Sequence, residues 1–215
     1  MHYMLEAIIA ADWNRLIVPR IEKADISLAD QFLSQTIAAY NGPERYYHNL
    51  THIVDCLEKL EPYKDREDYL QLWLALFWHN EINNTKPVYG NMSNERESAK
   101  QAYIRMERLR LEGAYKVAQL IVATEQHDST KEPEMLINDI DMSVLASPSD
   151  EYKIYSAGIR EEYSWVDEEQ YRIGRIGTLN RFARPIFRHL DFVHLNPLAE
   201  ENIEAEIKEL SGIPN

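Results

Sequence analysis

The sequence predicts an all-helical, single-domain bundle, and three observations carry that reading. Apolar residues recur with a period of about 3.6 along most of the chain, and no stretch alternates with period two long enough for a strand. Punctuation is sparse: 7 Gly and 9 Pro in 215 residues, most of them between the periodic stretches. The first helix is expected near 3–16. A second, near 27–41, meets a strong stop at Asn41-Gly42-Pro43. A third is expected from Glu44 to about Leu60, ending at Pro62. The fourth, about 66–80, carries Leu70, Leu72, Trp73, Leu74, Ala75, Leu76, Phe77 and Trp78. A helix apolar nearly all round predicts the buried centre of the fold. Residues 81–94, with Pro87, Gly90 and the asparagines 83, 84, 91 and 94, read as a loop. Further helices are expected near 94–111, 114–126, 135–146, 149–163, 168–190 and 197–211. No repeat, low-complexity tract or linker interrupts the pattern, so residues 1–215 read as one domain with its core over about 27–190.

Composition narrows the function classes. Asp and Glu number 36 against 23 Lys and Arg, a net charge of −13. A field of that sign disfavours nucleic acid and anionic membranes as partners. With 45% apolar and 27% charged residues the chain reads as globular. A single cysteine, Cys56, excludes an internal disulfide and suits a reducing compartment. No apolar run approaches the ~20 residues that span a bilayer. Polar His2, Glu6, Asp12, Asn14 and Arg15 leave no clean signal peptide, so the expected location is cytoplasmic. Self-association into a homo-oligomer is compatible with the sequence but not specified by it.

Polar residues on apolar faces mark the candidate chemistry. Leu72, Ala75, Leu76 and His79 follow i, i+3, i+4, i+7, which puts His79 on a core-facing stripe. Asn80 shares a face with Trp73, Leu76 and Phe77. Val117, Leu120, Ile121 and Thr124 lead to His127 at the end of their helix. Asp139 and Asp141 lie about 200° apart on a helical wheel, so they cannot both face one site. The wheel groups Asp141 with Ile137, Val144 and Leu145 and makes it the inward aspartate. His48 and His52, spaced i, i+4, are expected as neighbours on one side of the third helix. Each histidine taken alone is an ordinary core or surface residue, and His189 and His194 are read that way. Together, imidazoles and an aspartate at the ends of separate helices suit a divalent metal: manganese, iron, nickel, magnesium or zinc.

The order of the residues then carries a resemblance. Arg45-Tyr46-Tyr47-His48-Asn49-Leu50-Thr51-His52-Ile53 resembles the R-x-Y-H-x-x-x-H-I signature of a bacterial branch of the HD-domain superfamily, described as metal-dependent phosphohydrolases. The likeness continues through Trp78-His79-Asn80, Asn94-Glu95-x-x-Ser98-Ala99, Ala123-Thr124-x-x-His127 and Asp139 to Leu145. It ends with Ile159-Arg160-x-Glu162-Tyr163, Gly174-Arg175 and the region of Arg184, covering about residues 40–190. The resemblance implies an HD-type helical bundle whose metal is held by His52, His79 and Asp141. It implies His48 and His127 as ligands of a second ion or as acid–base groups facing the substrate. Glu95 would be a partner of a ligand or a general base.

One departure bears on all of this. Where the family has a His-Asp doublet, this chain has His79-Asn80. Asparagine keeps the shape and a neutral carbonyl oxygen but removes the charge, so the metal site is expected to be weakened. Phosphate would need local cations, since guanidinium groups bind its oxygens in a fork. Arg160, Arg175, Arg181 and Arg184 are candidates; Arg160 and Arg175 lie in matching blocks, and at least one of their guanidinium groups is expected at the pocket mouth. The reading is a metal-dependent phosphohydrolase acting on a small phosphorylated metabolite or nucleotide. The alternative, resting on Asn80, is a catalytically inactive HD-fold binding or regulatory protein. A di-iron oxygenase is a weaker third reading, since the bridging aspartate is missing.

Overall fold

Ten α-helices and five short 3-10 turns, with no strand among the described residues, make up the all-α fold. The structure is a computed structural model and describes residues 2–86, 90, 92–182 and 184–212. Of the residues read as the 81–94 loop, Pro87, Val88, Tyr89 and Asn91 therefore lie outside the described set. Contacts group the chain into two compact units, Met1–Glu125 and Gln126–Asn215. No helix among the described residues is long and apolar enough to cross a membrane.

The first unit contains α1 (His2–Leu16), α2 (Ile26–Tyr40), α3 (Leu50–Leu60), α4 (Tyr69–Trp78), α5 (Asn94–Arg108) and α6 (Ala114–Ala123). Helix α4 is its buried centre: every residue from Leu72 to Trp78 is buried, and α3, α5 and α6 pack on it. Trp13 of α1 stacks into the same cluster, its ring 5.8 Å from Phe77 and 6.1 Å from Trp78. Burial thus extends into α1, outside 27–190. Gly113 enters α6 at φ +87°, where a Cβ would meet the Gln71 side chain at 3.0 Å, so only glycine suits the position.

Helix α3 starts later than its apolar pattern suggests. Asn49 caps it, its side chain accepting the Thr51 N–H at 2.9 Å, and residues 41–49 form successive turns. This corrects the expected helical pair, because His48 precedes the helix and only His52 lies on it. Helix α4 likewise stops at Trp78, leaving His79 and Asn80 in the turn beyond it.

The second unit contains α7 (Glu134–Asp141), a 3-10 turn (Met142–Ala146), α8 (Ser149–Glu162), α9 (Glu168–Arg181) and α10 (Asn196–Leu210). Helix α9 ends at Arg181 rather than near 190. Pro185 has no N–H for a helix to use and bars Arg184 from helical backbone angles. The segment beyond is pinned by Asn196, which accepts the Phe187 N–H and donates to the Phe187 and Val193 carbonyls. Asn202 of α10 donates to the Leu145 and Ser147 carbonyls, tying α10 to the 3-10 turn.

Candidate metal centre

His79 caps the C-terminus of α4 and is 1% exposed. Its Nδ1 lies 2.7 Å from the Leu76 carbonyl oxygen. A carbonyl only accepts, so Nδ1 carries the proton and Nε2 presents a lone pair. His52, buried in the first turn of α3, places its Nδ1 3.1 Å from the Tyr47 hydroxyl. Its Nε2 lies 3.4 Å from His79 Nε2, with the rings 5.5 Å apart. With His79 Nε2 as acceptor, the contact is satisfied by an N–H on His52 Nε2, by another donor or by a cation. The Asn80 carboxamide supplies a donor: Nδ2 is 2.6 Å from His79 Nε2 and 3.4 Å from His52 Nε2. An aspartate in its place would have no hydrogen to give when ionised.

The turn that carries His79 and Asn80 is held from several sides. Arg45 donates to the carbonyls of His48 (3.0 Å), Asn80 (2.6 Å) and Glu81 (2.5 Å). Glu81 is buried and grips Arg105 of α5 bidentately, with Nη2 to Oε1 at 2.7 Å and Nη1 bonded to Oε2. Arg105 Nη1 also donates to Thr36 Oγ1, which accepts from the Trp78 indole N–H as well. Tyr40 donates to the Phe77 carbonyl at 2.8 Å, and its burial pushes the phenol pKa well up. Of the last carbonyls of α4, which have no partner within the helix, Phe77 is thus held by Tyr40 and Leu76 by His79 Nδ1.

His48 stands half-buried beside the pair, its ring 6.0 Å from His52 and 4.9 Å from Tyr47. Glu95 lies in the first turn of α5, where a carboxylate suits the positive end of the helix.

In the second unit His127 follows a helix that has already ended, at φ +52°, and its carbonyl accepts from Arg188 at 2.9 Å. His127 Nε2 lies 2.8 Å from Asp141 Oδ2, a carboxylate whose side chain is 12% exposed. The more buried aspartate is Asp139, at 1% exposure, which corrects the helical-wheel assignment. Helix α7 ends at Asp141 and the chain tightens into a 3-10 turn, so the wheel does not run on to Val144 and Leu145. Asp139 is accommodated by two main-chain donors, the N–H groups of Arg188 (2.7 Å) and His189 (2.6 Å). Burial raises its pKa, and those bonds oppose the rise without cancelling it.

The two arginines expected to hold phosphate are engaged within the second unit. Arg175 is buried in α9 and bidentate to Glu206 of α10, with Nε to Oε1 at 2.8 Å and Nη2 to Oε2 at 3.0 Å. The same carboxylate accepts from Tyr152 and Ser156, and Arg175 also donates to Tyr155. This corrects the expectation for Arg175: its guanidinium is spent inside the packing, on Glu206 rather than on the nearer acids of α8. Arg160 donates to the Tyr163 and Val166 carbonyls, lies 4.6 Å from the Tyr171 ring centroid and pairs with Glu168 at 3.3 Å. It closes the connection from α8 to α9.

Within the first unit, His52 and His79 offer two buried imidazoles that could ligate a metal ion. The donor chemistry fits. His79 Nε2 is in the ligating tautomer because of its bond to Leu76, the usual device by which a second contact orients a metal-bound imidazole. Arg45, Tyr47, Glu81 and Arg105 were not singled out as site residues from sequence. The signal for Arg105 lies in its helix, where it sits beside the apolar stripe of Ala99, Ala102 and Met106. No family model matches the chain, and neither a curated protein nor a solved structure matches it.

Proposed function

We propose that this chain is a metal-dependent phosphohydrolase of HD type, acting on a small phosphorylated metabolite or nucleotide. His52, His79 and Asp141 would hold the ion, and Asn80 would turn its carboxamide to offer Oδ1. The observation that carries the reading is the buried His52–His79 pair, with the His79 lone pair aimed at His52 Nε2. A divalent ion, when bound, lowers the pKa of a coordinated water and polarises a phosphoryl oxygen. His127, oriented by its bond to Asp141, would hold or pass a proton. His48 and Glu95 complete the acid–base set that the resemblance implies. Phosphate recognition is not assigned to Arg175, whose charge Glu206 already answers.

A second reading has its own support. The Asn80 amide already gives the His79 lone pair a hydrogen, so the pocket is chemically satisfied without an ion. That favours an HD-fold binding or regulatory protein that has left catalysis behind. Chelator-stripped protein assayed with p-nitrophenyl phosphate and a nucleotide panel, with and without manganese or nickel, separates the two. Hydrolysis that needs added metal and disappears in His79→Ala supports the enzyme. Nucleotide binding by calorimetry with no turnover under any metal supports the binding protein.

A further inference from the structure

Arg45 is the residue that joins the two histidine-bearing segments of the first unit. His52 stands on α3, entered through the turns of residues 41–49, and His79 stands after α4. Among the contacts described, one guanidinium spans both, donating to the His48 carbonyl on one side and to the Asn80 and Glu81 carbonyls on the other. Its planar fork offers five N–H donors in fixed directions, which a lysine cannot reproduce. The Asn80 and Glu81 carbonyls lie just past the C-terminus of α4, where partial negative charge collects and a cation is favoured. Arg45 also lies 5.5 Å from the Tyr40 ring centroid, and Tyr40 itself holds the Phe77 carbonyl. The clamp is therefore anchored to the buried helix and not only to loops.

We propose that Arg45 is a positioning residue that sets the spacing and orientation of the His52 and His79 imidazoles. In its metal-binding aspect this rests on the function proposed above, because the spacing matters to an ion only if the two histidines ligate one. The geometric claim stands apart from that reading and is tested separately.

The test uses the full chain as wild type, Arg45→Lys and Arg45→Gln. In metal-free protein, ¹⁵N spectra of the imidazoles report each tautomer, with His127 in the second unit as the internal reference. Wild-type His79 is expected in the Nδ1–H form. Both variants are expected to move the His52 and His79 signals toward mixed tautomers and to leave His127 where it was. Cobalt(II) titration of the same proteins is expected to show affinity reduced about 10- to 100-fold, with an altered ligand-field spectrum. Should Arg45→Gln unfold, Arg45→Lys keeps the charge and carries both measurements. Unmoved His52 and His79 signals, with cobalt affinity within twofold of wild type, would overturn the proposal. So would an equal disturbance of all three histidines, which marks a general loss of structure. If wild type takes up no cobalt while the Arg45 variants still shift His52 and His79 alone, the positioning role holds and the metal reading fails.

Discussion

Replacing Glu206 by glutamine leaves the Arg175 guanidinium buried with its charge unanswered. Both side chains are 6% exposed, and the carboxylate accepts two bonds from Arg175, one from Tyr152 and one from Ser156. Removing one partner of a buried pair costs about 3–5 kcal/mol. Glutamine keeps the shape and one acceptor oxygen, so the lower end, about 3 kcal/mol, is expected. Urea unfolding followed by circular dichroism at pH 7 measures it. The pH profile adds a second readout. Burial pushes the Glu206 pKa up, but the Arg175 bonds and charge outweigh it and hold the value below the ordinary 4.5. A depressed folded-state pKa means stability that is present above 4.5 and lost as pH falls through the folded value. Wild type should show that acid limb and Glu206→Gln should lack it. The double variant Arg175→Met with Glu206→Leu should lose less than either single change, because no charge is then stranded. A Glu206→Gln loss under about 1 kcal/mol, or an unchanged acid limb, would refute the buried pair as described.

Asn80→Asp should raise manganese or nickel affinity by about tenfold, or 1.4 kcal/mol, in calorimetry; equal or weaker binding would show that the remaining donors do not converge on an ion. Arg105→Met strands the buried Glu81 carboxylate and should cost about 3–5 kcal/mol in chemical denaturation, whereas a neutral effect would deny that this pair anchors the turn after α4. Asp139→Asn should change the pH dependence with the opposite sign to Glu206. Burial raises the Asp139 pKa above 3.8, so its contribution is full below that value and is lost as pH rises through the folded value. The asparagine variant should lack this decline, and an unaltered profile would contradict the assignment. Arg160→Ala should lower stability by about 1–3 kcal/mol through its two lost carbonyl bonds and leave metal content as in wild type; loss of bound metal would reopen a site role.

The features legible in the sequence were those that a local rhythm encodes. The apolar wall of α4 and the anomalous His79 at its end follow from helical spacing alone, and burial agrees with both. Boundaries were lost where a polar side chain, not the rhythm, decides. Asn49 starts α3 by capping it, so His48 left the helix on which the i, i+4 argument had placed it. The expected helix near 168–190 runs past Pro185, beyond which Ile186 and Phe187 are buried but not helical. The wheel fails at Asp139 because α7 is buried on every side from Leu136 to Ile140, so no single apolar face distinguishes the two aspartates. Arg175 and Glu206 were readable by the test applied to the histidines. Arg175 lies between Tyr171 and Leu179 at i±4, and Glu206 follows Ala199, Asn202 and Ile203 at i+7, i+4 and i+3. Charges on two apolar faces predict each other as partners. The roles of Arg45 and Arg105 depend on carbonyls and on a carboxylate remote in sequence, which no periodicity reports.

Metal content of protein purified without chelators, read by plasma mass spectrometry beside His52→Ala, His79→Ala and Asp141→Asn, tests the central claim most directly. The account predicts stoichiometric divalent metal after equilibration of the wild type with manganese, nickel, iron or zinc, and its loss in all three variants while helical content is kept. Folded wild-type protein that retains none of these ions, or variants that retain as much as wild type, would contradict it.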